Sequence, residues 1–195
     1  MPDGIRWLLC DYGEVLTLPQ PAADIAALEG AAGRSGGAFW DAYWQHRPDY
    51  DRAAVTVEVY WTAVLGEPVE RAAIEALVAL DVASWLHLNP ATVDAVGRAR
   101  ERGLRLALLS NAPHEVADVV DAAEFAAIFE QRIFSCRLGL MKPEPAIYAG
   151  ALELLGADPA EVIFVDDRPA NVDAARALGI RAHLFIDPTE IDEIG

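Results

Sequence analysis

The chain has 195 residues, 31 acidic against 15 basic side chains and a formal charge of −16, a length that suits one domain, or one domain with a sizeable insertion, around a full apolar core. The charge excludes nucleic acid and anionic membrane surfaces as broad-contact partners, because both need clustered Lys and Arg. No hydrophobic stretch is long enough to span a bilayer, and the N-terminus MPDGIRW lacks the basic segment and apolar core of an export signal, so a cytoplasmic location is expected.

The first predicted element lies in Ile5 to Leu16, IRWLLCDYGEVL. Its short apolar run, followed by a glycine-containing turn, suits a strand buried on both faces, and Asp11 stands at its carboxyl end. From Thr17 to about Leu88 the pattern turns helical and alanine-rich. Pro21 to Ala32, Ala38 to Arg47, Val57 to Leu65 and Pro68 to Trp85 each carry apolar residues at helical spacing, separated by Gly33, Gly36, Gly37 and Gly66. Asn89 then caps a helix from Pro90 to Arg102, Gly103 ends it, and LRLALLSN follows as a second buried strand. A helix from His114 to Phe125, a strand-like RIFSC, the loop GLMKPEP, a helix from Pro145 to Leu155, the strand VIFV, the turn DDRPAN, a helix to Leu178 and the strand RAHLF complete the series. The acidic tail DPTEIDEIG has no assigned element. Cys10 and Cys136 lie in apolar strand-like runs without metal-ligand spacing and are expected as buried, reduced thiols.

Strands alternating with helices of this length imply right-handed crossovers and a mostly parallel sheet. The expected fold is therefore α/β, a Rossmann-like core with an inserted α-helical segment, divided into 1–16 with 89–195 as core and 17–88 as helical insertion.

Polar clusters follow the strand-like runs at Asp11, at Ser110 and Asn111, at Lys142, and at Asp166 and Asp167. In an open parallel sheet these positions share one edge, where ligands bind. The adjacent acids together with Asp11 would repel one another strongly unless a cation neutralised them, and hard oxygen ligands favour Mg2+. Lys142, the Ser110 hydroxyl and nearby backbone N–H groups supply what a phosphoryl group needs. Asn171 falls about one turn beyond Asp167 on the following helix. Arg168, beside the acids, is expected as an ion-pair partner.

In order along the chain, DYGEVL, LLSN, GLMKPEPAIY and FVDDRPANVDAARALG resemble the motifs of the haloacid dehalogenase superfamily, whose commonest activity is Mg2+-dependent phosphate-ester hydrolysis. The helical insertion is similar in placement to that superfamily's small α-helical cap. The resemblance implies Asp11 as the nucleophile that becomes an aspartyl-phosphate, Ser110 and Asn111 as phosphate-binding, and Lys142 as charge stabiliser. It also implies a metal site of Asp11, the Gly13 carbonyl, Asp167 and Asp166. Phosphatases of this superfamily usually carry an aspartate two residues after the nucleophile as general acid and base. Here that position is Gly13. Three consequences remain open: a substrate with a good leaving group, proton transfer by Glu14, or a weakened enzyme that binds a phosphorylated ligand or a protein partner. A dehalogenase, which needs neither metal nor proton donor, is disfavoured by the paired acids.

Within the insertion, FWDAYWQHRPDYD is dense in aromatics. Phe39, Trp40 and Trp44 are expected in the core of the helices. His46, Arg47, Tyr50 and Asp51, near a chain break at Pro48, are the candidate substrate contacts. The expected partner is a small phosphorylated metabolite, sugar phosphates included. The sequence specifies no oligomeric state.

Overall fold

A computed structural model describes residues 4–193 of the chain. The first three residues of MPDGIRW and the last two of DPTEIDEIG lie outside the described residues. Five parallel strands, β1 (Trp7–Cys10), β2 (Arg105–Ser110), β3 (Gln131–Phe134), β4 (Val162–Asp166) and β5 (Arg181–Leu184), form one sheet in the order β3-β2-β1-β4-β5. β1 sits at the centre, every residue buried, with Leu9 opposite Ala107 on one side and Phe164 on the other. That position explains its unbroken apolar run, since a parallel strand covered on both faces has no polar side to show.

Alternate residues divide between the two faces. Leu8, Cys10, Leu106, Leu108, Ile163 and Val165 join an apolar cluster with residues of α5 (Pro90–Glu101) and α6 (His114–Ala122). Trp7, Leu9, Ala107, Leu109, Val162 and Phe164 join another with residues of α8 (Pro145–Leu155) and α9 (Pro169–Ala177). Proline at the first position starts α5, α8 and α9, where its missing N–H costs nothing.

Between β1 and α5 the chain builds α1 (Ala22–Ala32), α2 (Gly37–Asp51), α3 (Val57–Leu65) and α4 (Arg71–Ser84). These helices bury a third cluster that includes Phe39, Tyr43, Tyr50, Tyr60 and Trp61. At their base the outgoing and returning chains pair: Thr17 bridges Leu88 in antiparallel sense, Leu18 N donates to His87 O (2.8 Å) and Asn89 N to Leu16 O (2.9 Å).

Beyond shifts of helix ends, such as α2 starting at Gly37 and α4 at Arg71, the structure differs from the sequence reading in four places. α2 does not stop before Pro48 but runs to Asp51, because a buried ion pair and the burial of Tyr50 hold its last turn. The run RIFSC leaves the sheet after Phe134, so Cys136, buried and free, lies in the short helix α7 (Ser135–Leu138). The helix from His114 ends at Ala122 and is followed by a 3-10 turn, Glu124–Ile128. The tail forms α10 (Thr189–Glu193), fastened by Asp192 to Arg98 at 2.7 Å.

Candidate active site

The sheet delivers its chemistry to one edge. Asp11 follows the last residue of β1, Ser110 ends β2 and Asp166 ends β4, while Lys142 arrives on the loop between α7 and α8. The Asp11 N–H donates to Val165 O (2.9 Å), continuing the ladder to the nucleophile candidate itself. The Lys142 ammonium, 1% exposed, sits 2.6 Å from Asp11 Oδ1 and 2.7 Å from Asp166 Oδ2. Asp11 Oδ1 also accepts from the Tyr12 N–H at 2.6 Å.

Asp166 and Asp167 play different parts. Asp166 Oδ1 accepts from Arg168 N (2.9 Å) and from Asn171 Nδ2 (2.8 Å), and its other oxygen meets Lys142, so this carboxylate anchors the lysine. Asp167, half-buried, lines the cavity at the sheet edge. Asn111, expected to hold phosphate, has both ends of its amide on the Lys142 main chain, at 2.8 and 2.9 Å, and so holds the lysine's backbone with one N–H left over. Ser110 is buried at the cavity wall.

Burial pushes the Asp11 carboxyl up, with Lys142 opposing and Asp166 and Asp167 adding to the rise. Burial works against the Lys142 charge, but Asp11 and Asp166 outweigh it and hold its pKa above the ordinary value. Asp167 is pushed up to about 6 by burial, then by Asp166 and Glu14. One oxygen each from Asp11, Asp166 and Asp167 lie within 4.8 Å of one another. Three carboxylates against a single ammonium leave excess negative charge, and a hard, all-oxygen donor set fits a divalent cation of the Mg2+ kind. Asp11, Asp167 and the Gly13 carbonyl are the groups that would hold it, since Asp166 is occupied by its protein donors.

The cavity, about 460 Å³, is shared between the sheet edge and the helices. Gly13, Glu14 and Arg168 line it from the sheet side; Trp44, Arg47, Pro48, Asp51 and Trp85 line it from the helical side. Trp44, expected in the core, is 49% exposed and meets Trp85 edge to face with ring centroids 6.2 Å apart. Phe39 is buried as expected, and Trp40 packs partly buried against the same cluster. Arg47 and Asp51 are buried and paired at 2.7 Å, and Arg47 also reaches Asp81 at 3.0 Å. The other two candidate contacts fall elsewhere. Tyr50 is stacked on Tyr60, centroids 4.4 Å apart, because continuation of α2 turns it into the helical cluster, and His46 does not line the cavity. Arg168 makes no ion pair among the described residues, contrary to expectation, because its own backbone, not its guanidinium, meets Asp166.

Two residues escaped the sequence reading. Ser135 Oγ is fully buried, accepts from Ala112 N (2.9 Å) and donates to Asp51 O (2.5 Å), joining α2 to the loop just beyond Ser110. Trp85 Cζ3 lies 3.6 Å from where a Cβ at position 13 would stand, so the indole faces the position where the superfamily usually has its proton donor. Neither has a sequence signal: Ser135 meets backbone atoms far along the chain, and the fold alone brings the Trp85 ring to position 13 and to Trp44. Glu14 has φ of 56°, a left-handed conformation uncommon outside glycine, and its N–H donates to Thr17 Oγ1 at 3.1 Å.

Residues 5–179 match the family of haloacid dehalogenase-like hydrolases. Among curated relatives, rat bifunctional epoxide hydrolase 2 is 32% identical over 105 residues, 51% of this chain and 19% of that protein. Phosphatase MT3486 of Mycobacterium tuberculosis is 31% identical over 110 residues, 55% of this chain and 51% of that one. The matched segment is thus at most about half of either relative. The fold is shared with the HAD family enzyme BT-2542 of Bacteroides thetaiotaomicron, solved as a magnesium complex (TM-score 0.76, 22% identity, 94% of each chain). It is shared also with the L-2-haloacid dehalogenase RSc1362 (TM-score 0.72, 24% identity, 93% of this chain and 86% of that one). A parallel sheet with Asp11, Ser110, Lys142 and Asp167 gathered at its carboxyl edge, together with a family match over nearly the whole chain, establishes that the protein belongs to the haloacid dehalogenase-like hydrolases.

Proposed function

We propose that this hydrolase is a cytoplasmic, Mg2+-dependent phosphatase of small phosphate monoesters, sugar phosphates included, working through phosphorylation of Asp11. The observation that carries the reading is the Lys142 ammonium held between Asp11 and Asp166 beside Asp167. This is a site built to keep a carboxylate nucleophile oriented while a second anion approaches it. Asp11 attacks phosphorus in line; Lys142 offsets the charge gathered between nucleophile and phosphoryl group; the Ser110 hydroxyl and neighbouring backbone N–H groups donate to phosphoryl oxygens. A divalent cation held by Asp11, Asp167 and the Gly13 carbonyl would supply charge neutralisation for the incoming phosphate. Residues 17–88 act as a cap over the core formed by 1–16 and 89–195, contacting the leaving group and limiting access of water. The phosphatase relative supports this chemistry for the segment it shares.

The absence of a side chain at Gly13 favours a second reading, a weakened enzyme that retains ligand binding. A dehalogenase shares the fold but would leave the three-carboxylate cluster without a purpose. Phosphate release from a broad panel of phosphate esters, with and without Mg2+, separates these. Asp11→Asn is expected to abolish Mg2+-dependent release while circular dichroism stays unchanged; undiminished turnover in that variant overturns the reading, and ligand affinity without release throughout the panel establishes the second.

A further inference from the structure

The proposed reaction lacks a proton donor at the position that usually supplies one, and resting on that reading we propose that Asp51, on the last turn of α2, takes this role. Three observations carry it. First, position 13 offers no side chain, and the Trp85 ring edge stands 3.6 Å from where its Cβ would be, so the space beside the nucleophile's turn is apolar. Second, Asp51 is a buried carboxylate in the wall of the cavity that holds Asp11. Its Oδ1 accepts from Arg47 Nε at 2.7 Å, and its other oxygen takes no donor among the described residues yet is not sealed from solvent. Third, its position is fixed to the phosphate side of the site, since Ser135 Oγ holds Asp51 O at 2.5 Å and Ala112 N at 2.9 Å, two residues past Ser110.

The direction of attack makes a donor on the helical side the useful one. In an in-line displacement by Asp11 the leaving oxygen departs on the far side of phosphorus, away from the sheet edge and toward the helices. Glu14 stands on the nucleophile's own turn, is exposed, and its side chain makes no hydrogen bond or ion pair among the described residues. Asp51 is held in place before substrate arrives.

In the first step the Asp11 oxygen forms its bond to phosphorus as the bond to the leaving oxygen breaks; that oxygen keeps the electron pair and takes the Asp51 proton, leaving as an alcohol. In the second step the Asp51 carboxylate takes a proton from water as the water oxygen bonds to phosphorus. Asp11 then leaves as a carboxylate with inorganic phosphate released, and Asp51 is again protonated. The groups facing Asp51 are Arg47 on its own helix, Tyr60 on α3, Asp81 on α4, Cys136 on α7 and Arg168 at the start of α9. Burial raises its pKa, against the pull of Arg47, so the proton is available nearer neutrality than on a free aspartate.

Asp51→Asn keeps the shape and an acceptor for Arg47. With Mg2+ present, its kcat/KM is expected to fall about a hundredfold on phenyl phosphate but less than tenfold on 4-nitrophenyl phosphate, whose leaving group needs little protonation. With the latter, a burst of one nitrophenolate per protein followed by slow turnover is expected, as the aspartyl-phosphate waits for a base. Equal losses on both esters, or no burst, overturn the proposal, as does transfer of the same pattern to Glu14→Gln. Should Asp51→Asn not fold, the unaltered protein must hydrolyse the two esters with kcat/KM within tenfold of each other, and Glu14→Gln must preserve that ratio; a steep difference overturns it. Absence of Mg2+-dependent release in the unaltered protein instead refutes the phosphatase reading itself.

Discussion

Asp166 and Asp167 are neighbours in sequence with separate tasks, and strand geometry is the reason. Successive residues at a strand end point to opposite sides, so one carboxylate enters the core and the other enters the cavity. Buried Asp166 is tolerable only because Lys142, Asn171 and the Arg168 N–H satisfy it. Asp167, left in the cavity wall, carries a pKa pushed up to about 6 by burial and by the negative charges of Asp166 and Glu14. A cation must displace whatever proton it retains. The sign follows: as pH falls through 6 the Asp167 carboxyl protonates and the cation loses a ligand, so Mg2+ affinity should drop at least about tenfold per pH unit below that point, with the raised Asp11 carboxyl adding to the fall. Titration calorimetry with Mg2+ between pH 5 and 7, in buffers of different ionisation enthalpy, checks this. A constant affinity with no proton release would mean that Asp167 is not a ligand.

At the scale of elements, α2 shows how a helix presents a functional face. Trp44, Arg47 and Asp51 are spaced three and four residues apart, so they share one side of the helix, and that side lines the cavity. Pro48 interrupts the helix hydrogen bonding and costs about 3 kcal/mol in an isolated helix. Within this fold, Arg47 bridges Asp51 on the same helix to Asp81 on α4, while Tyr43 Oη donates to Asp81 Oδ1 at 2.6 Å. Removing Arg47 should be severe, because Asp51 and Asp81 would both lose the guanidinium they accept from and would stay buried without it. Arg47→Met is expected to lose about 3 to 5 kcal/mol in urea unfolding at neutral pH; a loss below about 1 kcal/mol would show that the ion pairs do not hold α2 to α4. The same helix marks the limit of sequence reading. Asp11, Ser110, Lys142 and Asp167 were legible because a parallel sheet sends strand ends to one edge whatever the details of packing. The exposure of Trp44, the inward turn of Tyr50 and the joining role of Ser135 were not, since each depends on a helix continuing through proline or on a carbonyl 84 residues away.

Across the whole molecule, apolar burial falls into three clusters, one on each face of the sheet and one within α1–α4. Apart from Val82 on α4, Trp85 and Leu88, which pack against one sheet-face cluster, polar bonds tie the helical group to the sheet. Tyr12 Oη donates to Trp85 O at 2.8 Å, Ser135 Oγ to Asp51 O, and Arg52 pairs with Glu144 at 2.9 Å. Elements that share an apolar core open together, whereas a polar join adds little to the cost of opening one side alone. Amides of β1, β2 and β4, hydrogen-bonded within a buried sheet, should therefore exchange only through global unfolding. Those of α1–α4 should exchange through a cheaper opening of their own cluster, forming a separate group with a common, lower opening free energy in hydrogen-exchange measurements under native conditions. Inorganic phosphate with Mg2+ should raise protection at the end of α2, where the helix is fastened beside the cavity, more than at α1, none of whose residues lines it. If strands and helices share one opening free energy, residues 17–88 are not a unit distinct from the core, and closure of a cap cannot be what admits the substrate.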